Sequence, residues 1–89
     1  MTRLRKVVLK EKSFESPAEL HALLAQELGF PDYYGANLDA FEDCLEDVYV
    51  PTRIIIKRCK GHRKEWFDGF EDVVRDVARR SDFVYCVIR

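Results

Sequence analysis

The chain has 89 residues, 47% hydrophobic and 35% charged, with a net charge of −1. That length holds one compact domain over residues 1–89, excludes two that each bury a core, and leaves little interior for a deep substrate pocket. Three cysteines form no paired framework, and no apolar run approaches the roughly 20 residues of a membrane span. A disulfide scaffold and a membrane protein are therefore excluded, and the reducing cytoplasm is the expected compartment.

The first apolar run, Val7-Val8-Leu9, follows Arg3, Arg5 and Lys6 but is too short for a signal peptide and reads as a strand. Ser16-Pro17-Ala18-Glu19 then supplies an N-cap, a proline at the first helical position and a glutamate placed for a capping box. Leu20, Leu23, Leu24 and Leu28 keep one apolar stripe until Gly29 and Pro31 end this first helix.

A second helix is predicted from Asn37, with Leu38, Phe41, Leu45 and Val48 along its inward side. Residues 53–57 form a second strand. A third helix spans about 64–80, with Trp66, Phe70, Val73 and Val77 inward and Arg75, Arg79 and Arg80 near its carboxyl end, where the helix dipole favours cations. Residues 83–88 complete the set as a third strand. Because the last two strands are unbroken apolar runs, both sheet faces are expected to be covered, as in a parallel α/β sheet with flanking helices.

Charge is segregated along the chain. Between Ser13 and Thr52 there is no lysine or arginine, while nine acids occur; the flanks hold all 15 basic residues against seven acids. On the second helix, Asp39, Glu42, Asp43 and Glu46 project away from the apolar stripe. Like charges at this spacing, with Glu46 and Asp47 at the negative end of the helix dipole, oppose stability. An acidic helix face by itself is commonly only a solvated surface.

The loop before it, Asp32-Tyr33-Tyr34-Gly35-Ala36-Asn37, adds a second signal. Two adjacent tyrosines in a turn do not both enter a core easily, and an exposed ring beside carboxylates is a good contact residue; the competing reading is that both seal the core edge. Gly35 suits a turn that needs positive φ. Together, loop and helix suit a partner that presents arginines and lysines, as nucleic-acid-binding proteins do.

The run Pro31-Asp32-Tyr33-Tyr34-Gly35-Ala36-Asn37-Leu38-Asp39-Ala40, followed by Asp43-Cys44-Leu45, resembles the barstar family of intracellular inhibitors of barnase-like ribonucleases. The likeness extends upstream through Leu20-His21, and the order and length of the elements agree to both ends. It implies a barstar-like α/β fold with a three-stranded parallel sheet and flanking helices. It also implies a bacterial, non-enzymatic, monomeric protein that plugs a secreted microbial ribonuclease one to one, without direct contact to nucleic acid or membrane.

By matched position, Asp43 would occupy the place of a substrate phosphate and Asp39 would pair with an arginine of the enzyme. Tyr33 would pack on the catalytic histidine region, Gly35 and Asn37 would give backbone and polar contacts, and Leu38 an apolar one. Tyr34, Glu42 and Glu46 complete the expected partner face. Two positions depart from the family. Glu42 stands where the family has tryptophan, and Arg79 where it has an acid, with Asp76 one turn earlier as a substitute.

The alternative reading is an immunity or adaptor protein that binds another basic toxin or nucleic-acid-binding protein through the same face. An acid–base pair of Asp39 and Asp43 lacks the burial that would push two carboxylates apart in pKa, so no catalytic residue is expected. Cys44 reads as a buried thiol and His21 as a packing or capping histidine. Cys59-Lys60-Gly61-His62 has no second half with metal-ligand spacing, so neither metal nor cofactor is expected. The Gly61-His62-Arg63-Lys64 turn lacks a phosphate-loop pattern and reads as a solvated basic loop.

Overall fold

The computed structural model describes residues 4–61 and 63–89; the parts of the preceding readings that fall on Arg3 and His62 lie outside the described residues. The elements in chain order are β1 (Arg5–Lys10), α1 (Pro17–Leu28), α2 (Leu38–Glu46), β2 (Thr52–Lys57), α3 (Glu65–Arg80) and β3 (Val84–Ile88), with one 3-10 turn at Glu11–Ser13. The strands form a parallel sheet in the order β1-β2-β3, with Val7 opposite Ile54 and Ile54 opposite Cys86. This is the expected α/β fold with a three-stranded parallel sheet.

Local chemistry accounts for the helix ends. The Ser16 hydroxyl accepts the Glu19 N–H, Glu19 accepts the Glu15 N–H, and Pro17 starts α1. Gly29, at φ 68, closes it in the left-handed conformation. Asn37 caps α2 by accepting the Ala40 N–H at 2.8 Å. Leu20, Leu24 and Leu28 of α1 and Phe41 and Leu45 of α2 are buried in one cluster with all three strands and α3. Burying each such side chain contributes about 1.5–3 kcal/mol.

The strand residues in that cluster are Val7, Leu9, Ile54, Ile56 and Val84, with Cys86 packed against it, and all of them share one face of the sheet. The opposite face carries Lys6, Val8, Lys10, Arg53, Ile55, Lys57, Tyr85 and Val87, and among the described residues none of these belongs to the cluster in which the buried residues of all three helices lie. The expectation of two covered faces is therefore corrected: the helices form one layer. Ile55 is only 3% exposed although it lies outside the main cluster. It sits in register between Val8 and Val87, on the central strand.

The inward stripe of α3 is also corrected. Phe67, Phe70, Val74 and Val77 are buried, whereas Trp66 and Val73 lie at the margin of the core. Phe70 is the hub of an aromatic group, with ring centroids 5.6 Å from Phe41, 4.7 Å from His21 and 5.9 Å from Trp66. These tilted arrangements suit aromatic quadrupoles.

A buried ionic network fixes α3 to the sheet. The carboxylate of Glu11, fully buried just past β1, accepts from Arg58 Nε at 3.2 Å and Nη2 at 2.9 Å, from the Cys59 N–H at 2.8 Å and from the Lys64 N–H at 2.7 Å. Lys64 is the N-cap of α3 and has no side-chain cap of its own, so Glu11 serves that helix end from 53 positions away. Arg58 continues to Asp68 at 2.7 Å and Glu71 at 2.8 Å, and its guanidinium lies 5.0 Å from the Phe67 ring centroid. Burial would raise the Glu11 carboxyl, but the hydrogen bonds from Arg58, Cys59 and Lys64 outweigh it and hold the group down to about 2.

Two outcomes follow for stability. Glu11→Ala leaves Arg58 without its buried partner and is expected to cost about 3–5 kcal/mol in urea unfolding. Since the folded pKa lies below the ordinary 4.5, the Glu11 contribution is complete above that value and is lost as pH falls toward about 2. Glu11→Gln, less stable at neutral pH, should show a shallower loss across that window; a profile parallel to the wild type would contradict the assignment.

Candidate functional site

The acidic face is set up by the turn between α1 and α2. The Tyr34 N–H donates to the Pro31 carbonyl at 2.9 Å, and the Tyr34 ring packs against Phe30 at 4.9 Å between centroids. The Tyr34 hydroxyl lies 2.6 Å from Nδ1 of buried His21, whose ring rests on Phe70. Burial pushes the Tyr34 hydroxyl up to about 12, with the Cys44 thiolate adding to it, and burial also lowers His21 below its ordinary value. A neutral imidazole and an un-ionised phenol therefore share one hydrogen bond. With Tyr34 anchored, Tyr33 points outward and is 88% exposed. One tyrosine seals the core edge and the other is displayed.

Gly35 does not occupy the left-handed region; that conformation falls on Ala36, at φ 52. The need for glycine at position 35 is spatial. A Cβ there would stand 3.1 Å from Asn37 Nδ2 and 3.6 Å from the Ala40 Cβ, crowding the residue that caps α2. Asn37 is thus occupied in the fold, since its amide also reaches the Gly35 carbonyl at 3.4 Å.

Leu38 is 38% exposed and does not join the buried stripe of α2, as periodicity alone would have it. It lies over α3 at Gly69, where an added Cβ would come within 2.6 Å of Leu38 Cδ1. The glycine makes room for the seam between the two helices.

Four carboxylates of α2 divide into two kinds. Arg80 of α3 bonds Glu42 at 2.6 Å and also pairs with Glu46, while Asp76 pairs with Arg79 at 3.2 Å. Asp39 and Asp43, both exposed, have no cationic partner among the described residues. Four apart on one helix, they stand about 5–6 Å from each other at the Cβ atoms. Two unpaired carboxylates at that spacing can accept guanidinium or ammonium groups from a partner.

Beside them is a shallow cavity of about 630 Å³ bordered by Tyr33, Asp43, Asp47 and Tyr49. Asp47, read from the sequence only as a charge at the unfavourable end of the helix dipole, thus joins the face, and Tyr49, 79% exposed, adds a ring that the sequence reading does not include. Tyr49 follows α2 without belonging to any periodic pattern. Cys44 also borders this cavity, half-buried. Burial and the Asp47 and Asp43 carboxylates push its thiol up, which opposes thiolate chemistry. Among the described residues no group of three metal-ligating side chains occurs, and no helix is long and apolar enough to cross a membrane.

Comparison with known proteins places this geometry in a family context. The family model described as Barstar (barnase inhibitor) matches residues 4–88. The Bacillus subtilis (strain 168) protein named "Putative ribonuclease inhibitor YrdF" is 44% identical over 79 residues, covering 88% of this chain and 86% of that protein.

The anchored-and-displayed pair of tyrosines gives a test of the loop. Tyr34→Phe leaves the His21 nitrogen without its partner and is expected to cost about 1–3 kcal/mol, whereas Tyr33→Phe, on an exposed ring, should leave thermal stability unchanged. Gly35→Ala should destabilise by about 1 kcal/mol through the displaced Asn37 cap. Equal melting temperatures for Tyr34→Phe and Tyr33→Phe would refute this division of roles.

Proposed function

The chain belongs to the barstar family, and from that premise we propose that it is a cytoplasmic inhibitor that plugs the basic active site of a barnase-like ribonuclease, one to one. The observation that carries this reading is the exposed pair Asp39 and Asp43, unpaired among the described residues, beside the displayed ring of Tyr33. A ribonuclease active site holds cations where substrate phosphates bind. Carboxylates on a rigid helix imitate those phosphates, and the tyrosine ring offers a flat surface to a base-binding groove. No bond is cleaved: the inhibitor occupies the site and excludes RNA.

Helix α2 suits this task because it costs little to order on binding. Asn37 fixes its start, Phe41 and Leu45 bury its inner side, and Arg80 ties its far end to α3. The carboxylates aimed at the partner are then held in place before contact. Glu42, in the family's tryptophan position, is engaged by Arg80, so we assign it to shaping the helix end and tuning partner choice. Asp39 and Asp43 carry the direct contacts.

Steady-state hydrolysis of RNA by barnase-like enzymes, with and without added protein, tests the assignment. Inhibition should weaken as salt rises, because charge steering of this kind raises association rates about 10- to 1,000-fold at low ionic strength. Asp43→Ala should weaken inhibition about 30-fold or more, equivalent to at least 2 kcal/mol, while Asp82→Ala, away from the face, should have no effect. Failure to inhibit any of several such enzymes would refute the function, and equal behaviour of the two variants would refute the site.

A further inference from the structure

The bare face of the sheet is the largest feature that the inhibitor reading leaves unused. It carries Lys6 and Arg53 side by side on adjacent strands, then the apolar row Val8, Ile55 and Val87, then Lys10 and Lys57 side by side. Adjacent strands lie about 4.8 Å apart, so each cation faces a like charge across the ladder, an arrangement that opposes stability. No acid shares the face, and none of these four cations has a carboxylate partner among the described residues.

Two further observations indicate what could cover it. At the carboxyl end of β1 and β2, Lys10, Lys12, Lys57 and Lys60 border a cavity of about 380 Å³. The nearby Glu11 carboxylate is fully engaged by Arg58 and two backbone N–H groups, so it leaves these lysines unneutralised. At the opposite corner, Tyr85 is 50% exposed beside Arg53, and its hydroxyl donates to the Asp82 carbonyl, which holds the ring.

We propose that this face, from the lysine cavity to Tyr85, binds single-stranded RNA. The lysines take the phosphates as point charges, and the tyrosine ring stacks on a base, the combination used by single-strand binding surfaces. A protein partner is disfavoured because the cores of protein interfaces are depleted in lysine, and because the apolar row is recessed with Ile55 covered. A lipid surface is disfavoured because the aliphatic row at the centre of the face has Ile55 covered, and the exposed ring of this face, Tyr85, is tied to the Asp82 carbonyl. The inference runs against the expectation, implied by the family resemblance, of no direct contact with nucleic acid. It is independent of the acidic face and stands or falls apart from ribonuclease inhibition.

The test is an anisotropy titration of the whole protein into a fluorescein-labelled, unstructured single-stranded RNA of about a dozen nucleotides at about 50 mM salt. Saturable binding is expected, with log K falling against log salt with a slope of about −3 from four neutralised phosphates. The double variant Lys10→Glu/Lys57→Glu should bind at least about tenfold more weakly with a smaller slope, and Tyr85→Ala about fivefold or more. Asp43→Ala should bind RNA as well as the wild type, and circular dichroism should show every variant folded. The proposal is overturned by absence of binding, by equal affinity of the double variant, or by capture on anionic phospholipid vesicles without RNA binding. Unchanged affinity of Tyr85→Ala would likewise overturn it, by leaving only a general polyanion surface.

Discussion

The fold turns on one buried carboxylate. Glu11 gathers Arg58 and two backbone N–H groups at the point where the chain leaves β1, enters the β2–α3 connection and begins α3. Burying this charge is tolerable only because every acceptor direction is used. From there the order propagates by contact: Arg58 lies on Phe67, Phe67 and Phe70 fill the core, Phe70 supports His21, and His21 holds Tyr34. The displayed Tyr33 is therefore the last link in a chain of packing that begins at the other end of the molecule.

Much of this was legible in the sequence where the signal is local. Ser16, Pro17 and Gly29 bracket α1, and Asn37 marks the start of α2, because capping is decided within four residues. What failed was non-local. Residues 66, 67, 70, 73, 74 and 77 allow two apolar stripes on α3, and only the position of the sheet selects the one with Phe67 and Val74. Glu11 and Arg58 are separated by 47 positions, so nothing in either neighbourhood announces their pairing. The covered second sheet face is the expectation from an apolar run whose middle residue, Ile55, is buried yet lies outside the cluster that the helices join.

The candidate site divides in the same way. The exposure of one tyrosine, the capping role of Asn37 and the outward carboxylates follow from residue types at short spacing. The engagement of Glu42 and Glu46 by Arg80 spans 38 and 34 positions and changes the charge pattern that a partner meets. Gly35 shows how a correct residue can be read for the wrong reason: it is small because space is short, and the strained dihedral belongs to Ala36.

The one-layer arrangement of helices has an electrical consequence. Unpaired carboxylates lie on the helix layer and unpaired cations on the bare sheet, so a chain with net charge −1 has almost no monopole but a substantial dipole moment. Near a charged body such a molecule feels a torque before it feels a pull, and it turns the appropriate side forward. A titration curve or an isoelectric point, which record only the sum, would describe it as nearly neutral and miss the property that orients it.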